Sequence, residues 1–227
     1  MTTTLITGGN RSIGYQTAKE LIAAGHDVWI GARDPEKGQA AADALGARYV
    51  QLDVTDDASV TAAAQTVGTL DVLINNAGIS GGRVPVTDVT ADHLRPVFET
   101  NVYGPVRVFQ GFRPLLERSE NPVVVNVSSG MGSLALTSDP ERVESTLINI
   151  TYSPSKTALN MISSQLARSF PEMRINTVDP GYTATDFNNH SGYQTVEEGA
   201  EAIVKLAQIG PDGPTGTYQD RHGMVPW

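Results

Sequence analysis

The chain has 227 residues, 40 % apolar and 18 % charged, which fits a folded globular protein and excludes a disordered one. A net charge of −9 argues against a nucleic-acid or anionic-membrane partner. Cysteine is absent, so neither a disulfide framework nor a thiolate metal site is expected. His26, His93, His190 and His222 are scattered without paired ligand spacing, so no metal is expected either. No apolar run approaches bilayer-spanning length, and the start MTTTLITGGN lacks the regions of a signal peptide. A cytoplasmic location is the expectation.

In chain order, residues 3–7 are a β-branched and apolar run ending in Gly8-Gly9, which predicts a buried strand and a turn. Ile13, Ala18, Leu21 and Ile22 recur at helical spacing over 12–24, and Gly25 closes that helix. A strand at 27–31 follows. Pro35 opens a helix to about residue 45, with Asp34 as its N-cap. Residues 48–52 read as a strand, 56–67 as a helix and 70–75 as a strand. Two helical stretches fill 90–119, joined near residues 101–104. Residues 122–127 form a fifth, buried strand. The segment 130–150 is an irregular insertion with one helical turn, and its Asp139, Glu141 and Glu144 read as a solvated acidic face. A long amphipathic helix covers 152–170, and Pro154 requires it to start within a residue or two of Tyr152. Strand 173–178 comes next. The capping box at 195–198 opens a helix to about residue 209, and 216–219 is a short seventh strand. This alternation predicts one doubly wound α/β domain over residues 1–227, a seven-stranded parallel sheet with helices on both faces.

Four residues apart on a helix, Tyr152 and Lys156 lie on one face. An ammonium beside a phenol favours the phenolate, so the Tyr152 pKa is expected to fall from about 10 toward neutrality. The pentad alone is equally an ordinary helix surface. The turn Gly8-Gly9-Asn10-Arg11-Ser12-Ile13-Gly14 follows a strand and opens a helix, the setting a dinucleotide phosphate site requires. At the end of the second strand, Arg33 offers a planar fork for a ribose 2′-phosphate, and Arg11 could close from the other side. A solvated loop arginine is the alternative. Asp53 and Val54, then Asn75, Asn76, Ala77 and Gly78, then Ser128 and Ser129, then Pro180 and Gly181 sit at successive strand ends. Ligands bind there in open α/β sheets.

These pieces resemble the short-chain dehydrogenase/reductase family. The matches are TGGNRSIG, DV at 53–54, NNAG at 75–78, Asn101, VNVSS at 125–129, YSPSK at 152–156 and DPGYTAT at 179–185. The ARD at 32–34 and the ending GTYQDRHGMVPW resemble the NADPH-dependent carbonyl reductase branch. The resemblance implies a Rossmann fold with Tyr152 as acid/base. Lys156 would bond the nicotinamide ribose and lower the Tyr152 pKa. Ser129 would orient the substrate carbonyl, and Asn101 would support a water-linked proton path. It also implies that Thr183 and Thr185 join Pro180 and Gly181 at the cofactor, and that a lid follows, holding Tyr182, Phe187, Asn188 and Tyr193.

Two departures stand out. The family usually has glycine where this chain has Ser12, whose hydroxyl is read as a phosphate donor. The gap from Ser129 to Tyr152 is long, which puts the family's usual tetramer in doubt and leaves a monomer or homodimer as the expectation. The resulting expectation is an NADPH-dependent oxidoreductase of a small carbonyl or alcohol substrate. A non-catalytic NADP(H)-binding regulator and an NAD-dependent alcohol dehydrogenase are the alternatives.

Overall fold

In a computed structural model, residues 1–82 and 84–227 are described. Among the described residues, eight strands form one sheet in the order β3-β2-β1-β4-β5-β6-β7-β8. They are β1 (Thr3–Thr7), β2 (Asp27–Ala32), β3 (Arg48–Gln51), β4 (Val72–Asn75), β5 (Val123–Val127), β6 (Arg174–Val178), β7 (Tyr218–Asp220) and β8 (Gly223–Met224). The first seven pair in parallel, as the alternating pattern predicts. The eighth was not expected. It returns antiparallel to β7 through a turn in which the Asp220 carboxylate accepts the His222 and Gly223 amides at 2.7 and 2.9 Å. A two-residue strand leaves no period-2 signal to read.

The helices are α1 (Ser12–Ala23), α2 (Pro35–Leu45), α3 (Asp57–Val67), α4 (Ala91–Phe98), α5 (Gly104–Leu116), α6 (Leu134–Ser138), α7 (Tyr152–Ser169) and α8 (Val196–Ala207). Side chains alternate across each strand, so one strand feeds two cores. Leu5 and Val124 face α3, α5 and α7, packing with Val60, Phe109, Phe112 and Ala167. Ile6, Val123 and Val125 face α1, α2 and α8, packing with Ala18, Leu21, Ala42 and Ile203. Asp34 caps α2 through the Glu36 and Lys37 amides, and Thr195 with Glu198 forms the capping box of α8.

Two stretches depart from expectation. The join between α4 and α5 is no break: a π-helical turn at Glu99–Tyr103 makes them continuous. The insertion 130–150 holds three short helical pieces rather than one, at Gly130–Gly132, α6 and Val143–Thr146. Among the described residues, no helix is long and apolar enough to cross a membrane.

Candidate active site

The loops after β1, β4, β5 and β6 open beyond the carboxyl ends of the parallel strands, and the site is built from them. Gly8 turns the chain with φ at 64°, a left-handed conformation that glycine adopts without penalty. The turn is latched from β4: Asn76 donates to the Thr7 and Gly8 carbonyls at 2.9 and 3.1 Å. The Thr7 hydroxyl in return accepts the Asn76 and Ala77 amides at 3.0 Å each. Ser12 also lies in the left-handed region, with φ at 50°. That explains why glycine is the residue this position favours. The first helical hydrogen bond of α1 runs from Tyr15 to Arg11, and Arg11 gives no side-chain cap. The amides of Ser12, Ile13 and Gly14 therefore point outward from the positive end of a helix, a donor set that fits a phosphate.

At the next strand ends the residues divide. Arg33 is exposed at the end of β2 and close enough to Asp53 to help hold its carboxyl below the ordinary value. Burial works against that shift, and the Thr55 amide and hydroxyl, bonded to Asp53 at 2.9 and 2.7 Å, favour the charged form. Val54 is buried at the foot of α5. The Asn75 side chain turns inward rather than into the crevice. It is 3 % exposed and donates to Asn126 of β5 at 2.8 Å. Gly78, by contrast, opens onto the site, where an added Cβ would lie 3.3 Å from Asn101 Oδ1 and 3.7 Å from Lys156 Nζ.

Asn101 sits in the π turn, fully buried, and clamps the loop after β4. Its Oδ1 accepts the Ile79 amide, and its Nδ2 donates to the Ile79 carbonyl, both at 2.9 Å. Nδ2 also donates to the Ser155 hydroxyl of α7 at 3.0 Å. The π turn widens the helix by one residue and aims this side chain sideways, a device often found at functional sites.

α7 begins at Tyr152, as Pro154 dictates. Its start is held by a residue that the sequence reading missed. Asn149 Oδ1 accepts the Thr151 and Tyr152 amides at 3.0 Å each, and Asn149 Nδ2 donates to the Ser80 carbonyl at 3.3 Å. Asn three residues before a helical Tyr is a capping signal that could have been read. Lys156 is 4 % exposed and donates to the Val127 carbonyl at 2.8 Å, while its Nζ lies 5.7 Å from the centre of the Tyr152 ring. Close packing at Gly132, where a Cβ would meet Lys156 Cβ at 2.8 Å, brings the turn after Ser129 against this helix.

Burial pushes the Tyr152 hydroxyl up, against a favourable contribution from the Ser129 hydroxyl and with a further upward push from Asp179. This reverses the fall expected from Tyr–Lys spacing. Desolvation of a buried phenol outweighs an ammonium that is turned onto a carbonyl. Burial also lowers Lys156 to about 8, opposed by Asp179. Asp179 itself is raised by burial to about 6, against hydrogen bonds from the Gly181 and Gly130 amides and with Glu144 and Asp220 pushing it further up. Glu144 corrects another expectation. Its side chain is only 12 % exposed and faces inward with Asp179, each carboxyl oxygen lying 2.9 Å from a Cβ built on Gly130.

Beyond Pro180 and Gly181, the Thr183 hydroxyl bonds the Pro180 carbonyl at 3.0 Å. Thr185 is buried and starts the short turn Asp186–Asn188. Phe187 in that turn packs edge-on against Tyr152, with centroids 5.4 Å apart. The structure thus brings Asn101, Ser129, Tyr152, Lys156 and Gly78 together. It leaves Arg33 at the rim and Asn75 buried between β4 and β5.

The family model described as short chain dehydrogenase matches residues 2–195. A (+)-neomenthol dehydrogenase of Capsicum annuum is 31 % identical, with 94 % of this chain and 94 % of that protein covered. The short-chain dehydrogenase anuI of Penicillium roqueforti is 37 % identical, with 91 % and 88 % covered. The NADPH-bound carbonyl reductase from chicken fatty liver superimposes with a TM-score of 0.87 at 27 % identity, with 99 % and 98 % covered. By these matches the chain belongs to the short-chain dehydrogenase/reductase family of oxidoreductases, which bind nicotinamide cofactors.

Proposed function

We propose that the protein reduces a ketone or aldehyde to an alcohol with NADPH, reversibly, using Tyr152 as the proton donor. The observation that carries this is the meeting of Ser129, from the loop after β5, with Tyr152 and Lys156, from the first turns of α7. The likeness to an NADPH-bound carbonyl reductase supports the cofactor and the direction.

The amides of Ser12, Ile13 and Gly14 would hold the pyrophosphate, and Arg33 with Arg11 would hold the 2′-phosphate. When bound, the nicotinamide supplies the hydride. A carbonyl oxygen gaining negative charge needs donors already in place. Ser129 donates a hydrogen bond to that oxygen and Tyr152 delivers the proton. Burial keeps the Tyr152 phenol protonated at neutral pH, which is the state a proton donor needs. Lys156, lowered to about 8, would bond a ribose hydroxyl and resupply a proton. Asn101 holds the loop after β4 against α7 and keeps one Oδ1 lone pair for a water. In the oxidising direction Tyr152 must accept a proton, so alcohol oxidation is expected to rise with alkaline pH.

Tyr152→Phe tests the reading. Turnover of a reactive dicarbonyl with NADPH should fall by at least about 100-fold, the usual size of an acid–base contribution, while NADPH binding persists. Undiminished turnover would sink the mechanism.

A further inference from the structure

Ser129 is held from behind by a residue to which the resemblance gives no role. Tyr218, the first residue of β7, is fully buried, and its hydroxyl donates to the Ser129 carbonyl at 2.5 Å. The Gly132 amide donates to the same carbonyl at 2.7 Å, so both of its lone pairs are used. The Ser129 hydroxyl oxygen accepts the Met131 amide at 3.3 Å, which leaves its proton to donate into the crevice, with extended backbone at φ −171° and ψ 148°.

Tyr218 is itself locked. Its ring stacks on Trp227 with centroids 5.3 Å apart, and it packs with Leu136 and Val225. The segment carrying Trp227 is stitched to the insertion. The Ser133 hydroxyl donates to the Pro226 carbonyl at 2.6 Å and the Ala135 amide to the Trp227 carbonyl at 3.2 Å. Phenylalanine would fill this space as well, and a buried hydroxyl is costly without a partner. The hydroxyl meets that need on the Ser129 carbonyl, with the Asn160 and Ser128 side chains also within its reach, and it fixes the carbonyl together with the Gly132 amide.

We propose that Tyr218 is a positioning residue for the reaction, its hydroxyl fixing the loop that aims Ser129 at the substrate carbonyl. The inference rests on Ser129 being the carbonyl-binding serine. Displacement of a catalytic group by about 1 Å can cost up to ~100-fold in rate, so a loosened Ser129 should be visible in turnover.

The test is a double-mutant cycle with Tyr218→Phe and Ser129→Ala, read as kcat and KM with NADPH and a dicarbonyl. Tyr218→Phe should lower kcat by roughly 10-fold, with KM for NADPH and direct NADPH binding unchanged. In the Ser129→Ala background the same substitution should cost nothing, because the group it aims is gone. A merely structural hydroxyl would cost the same in both backgrounds, and that result overturns the proposal, as does a kcat unchanged by Tyr218→Phe. Full turnover in Ser129→Ala itself would instead remove the serine's role, a distinguishable failure. If Tyr218→Phe does not fold, Trp227→Leu keeps the hydroxyl and loosens its ring. It should then show a loss of kcat that vanishes without Ser129, and an equal loss in both backgrounds again overturns the proposal.

Discussion

Ser12 shows how one residue can carry both a strain and a function. Its φ of 50° is a conformation that side chains avoid. A non-glycine residue there costs about 1–2 kcal/mol, partly offset by the freedom glycine gains on unfolding. Ser12→Gly is therefore expected to raise stability by up to about 1 kcal/mol, measured as a urea midpoint. If the hydroxyl bonds a phosphate, the same change weakens NADPH binding about 5-fold, the worth of one hydrogen bond. Tighter binding would show that the side chain crowds the cofactor instead. Arg33 gives the second residue-scale test. It stands exposed at the end of β2, and Arg33→Asp should raise KM for NADPH by about 10- to 100-fold and favour NADH. Unmodified protein that prefers NADH would refute the 2′-phosphate role.

At the scale of elements, the start of α7 depends on a side chain outside the helix. Asn149 Oδ1 satisfies two backbone amides there, and its Nδ2 reaches the loop after β4. Asn149→Ala should cost about 1–2 kcal/mol, as lost caps do. That would lower Tm by roughly 2–8 °C in a chain of this size, and kcat should fall with it because Tyr152 is the first residue released. An unchanged Tm would mean that Pro154 and packing alone fix the helix start. Strands β1, β4 and β6 were legible as β-branched and apolar runs that meet glycine, asparagine or aspartate, and β5 as a run of valines, whereas the two-residue β8 was not. The capping box at Thr195 and the cap at Asp34 were legible for the same local reason. The π turn was not, since one extra residue in a helix leaves the apolar spacing almost unchanged. The inward turn of Glu144 was hidden too. Nothing in a polar insertion says which carboxyl will be folded under the neighbouring loop, and spacing alone does not report the burial that raises Tyr152.

Across the whole molecule, burial of charge couples folding to pH. Asp179 is raised from 3.8 to about 6, so the folded state binds more protons than the unfolded one between those values. Its contribution is present below the unfolded pKa and is lost as pH rises through about 6. Lys156 is lowered from 10.5 to about 8, so its burden on the fold is relieved only as pH rises above about 8. Asp179→Asn should therefore gain stability relative to the parent between pH 4 and pH 7, by up to about 3 kcal/mol. Denaturant melts at both pH values would show this, and parallel curves for the two proteins would refute it.

The turn at Asp220 has one more effect. An open parallel sheet ends in rows of unused amides and carbonyls, and these can template pairing with another chain. Here β8 folds back over the β7 side with only two residues. Such a strand covers its neighbour yet presents too short a ladder to recruit a stranger. The edge nearest Ser129 is thus sealed against strand exchange, and Tyr218 keeps its place in a sheet that stops there.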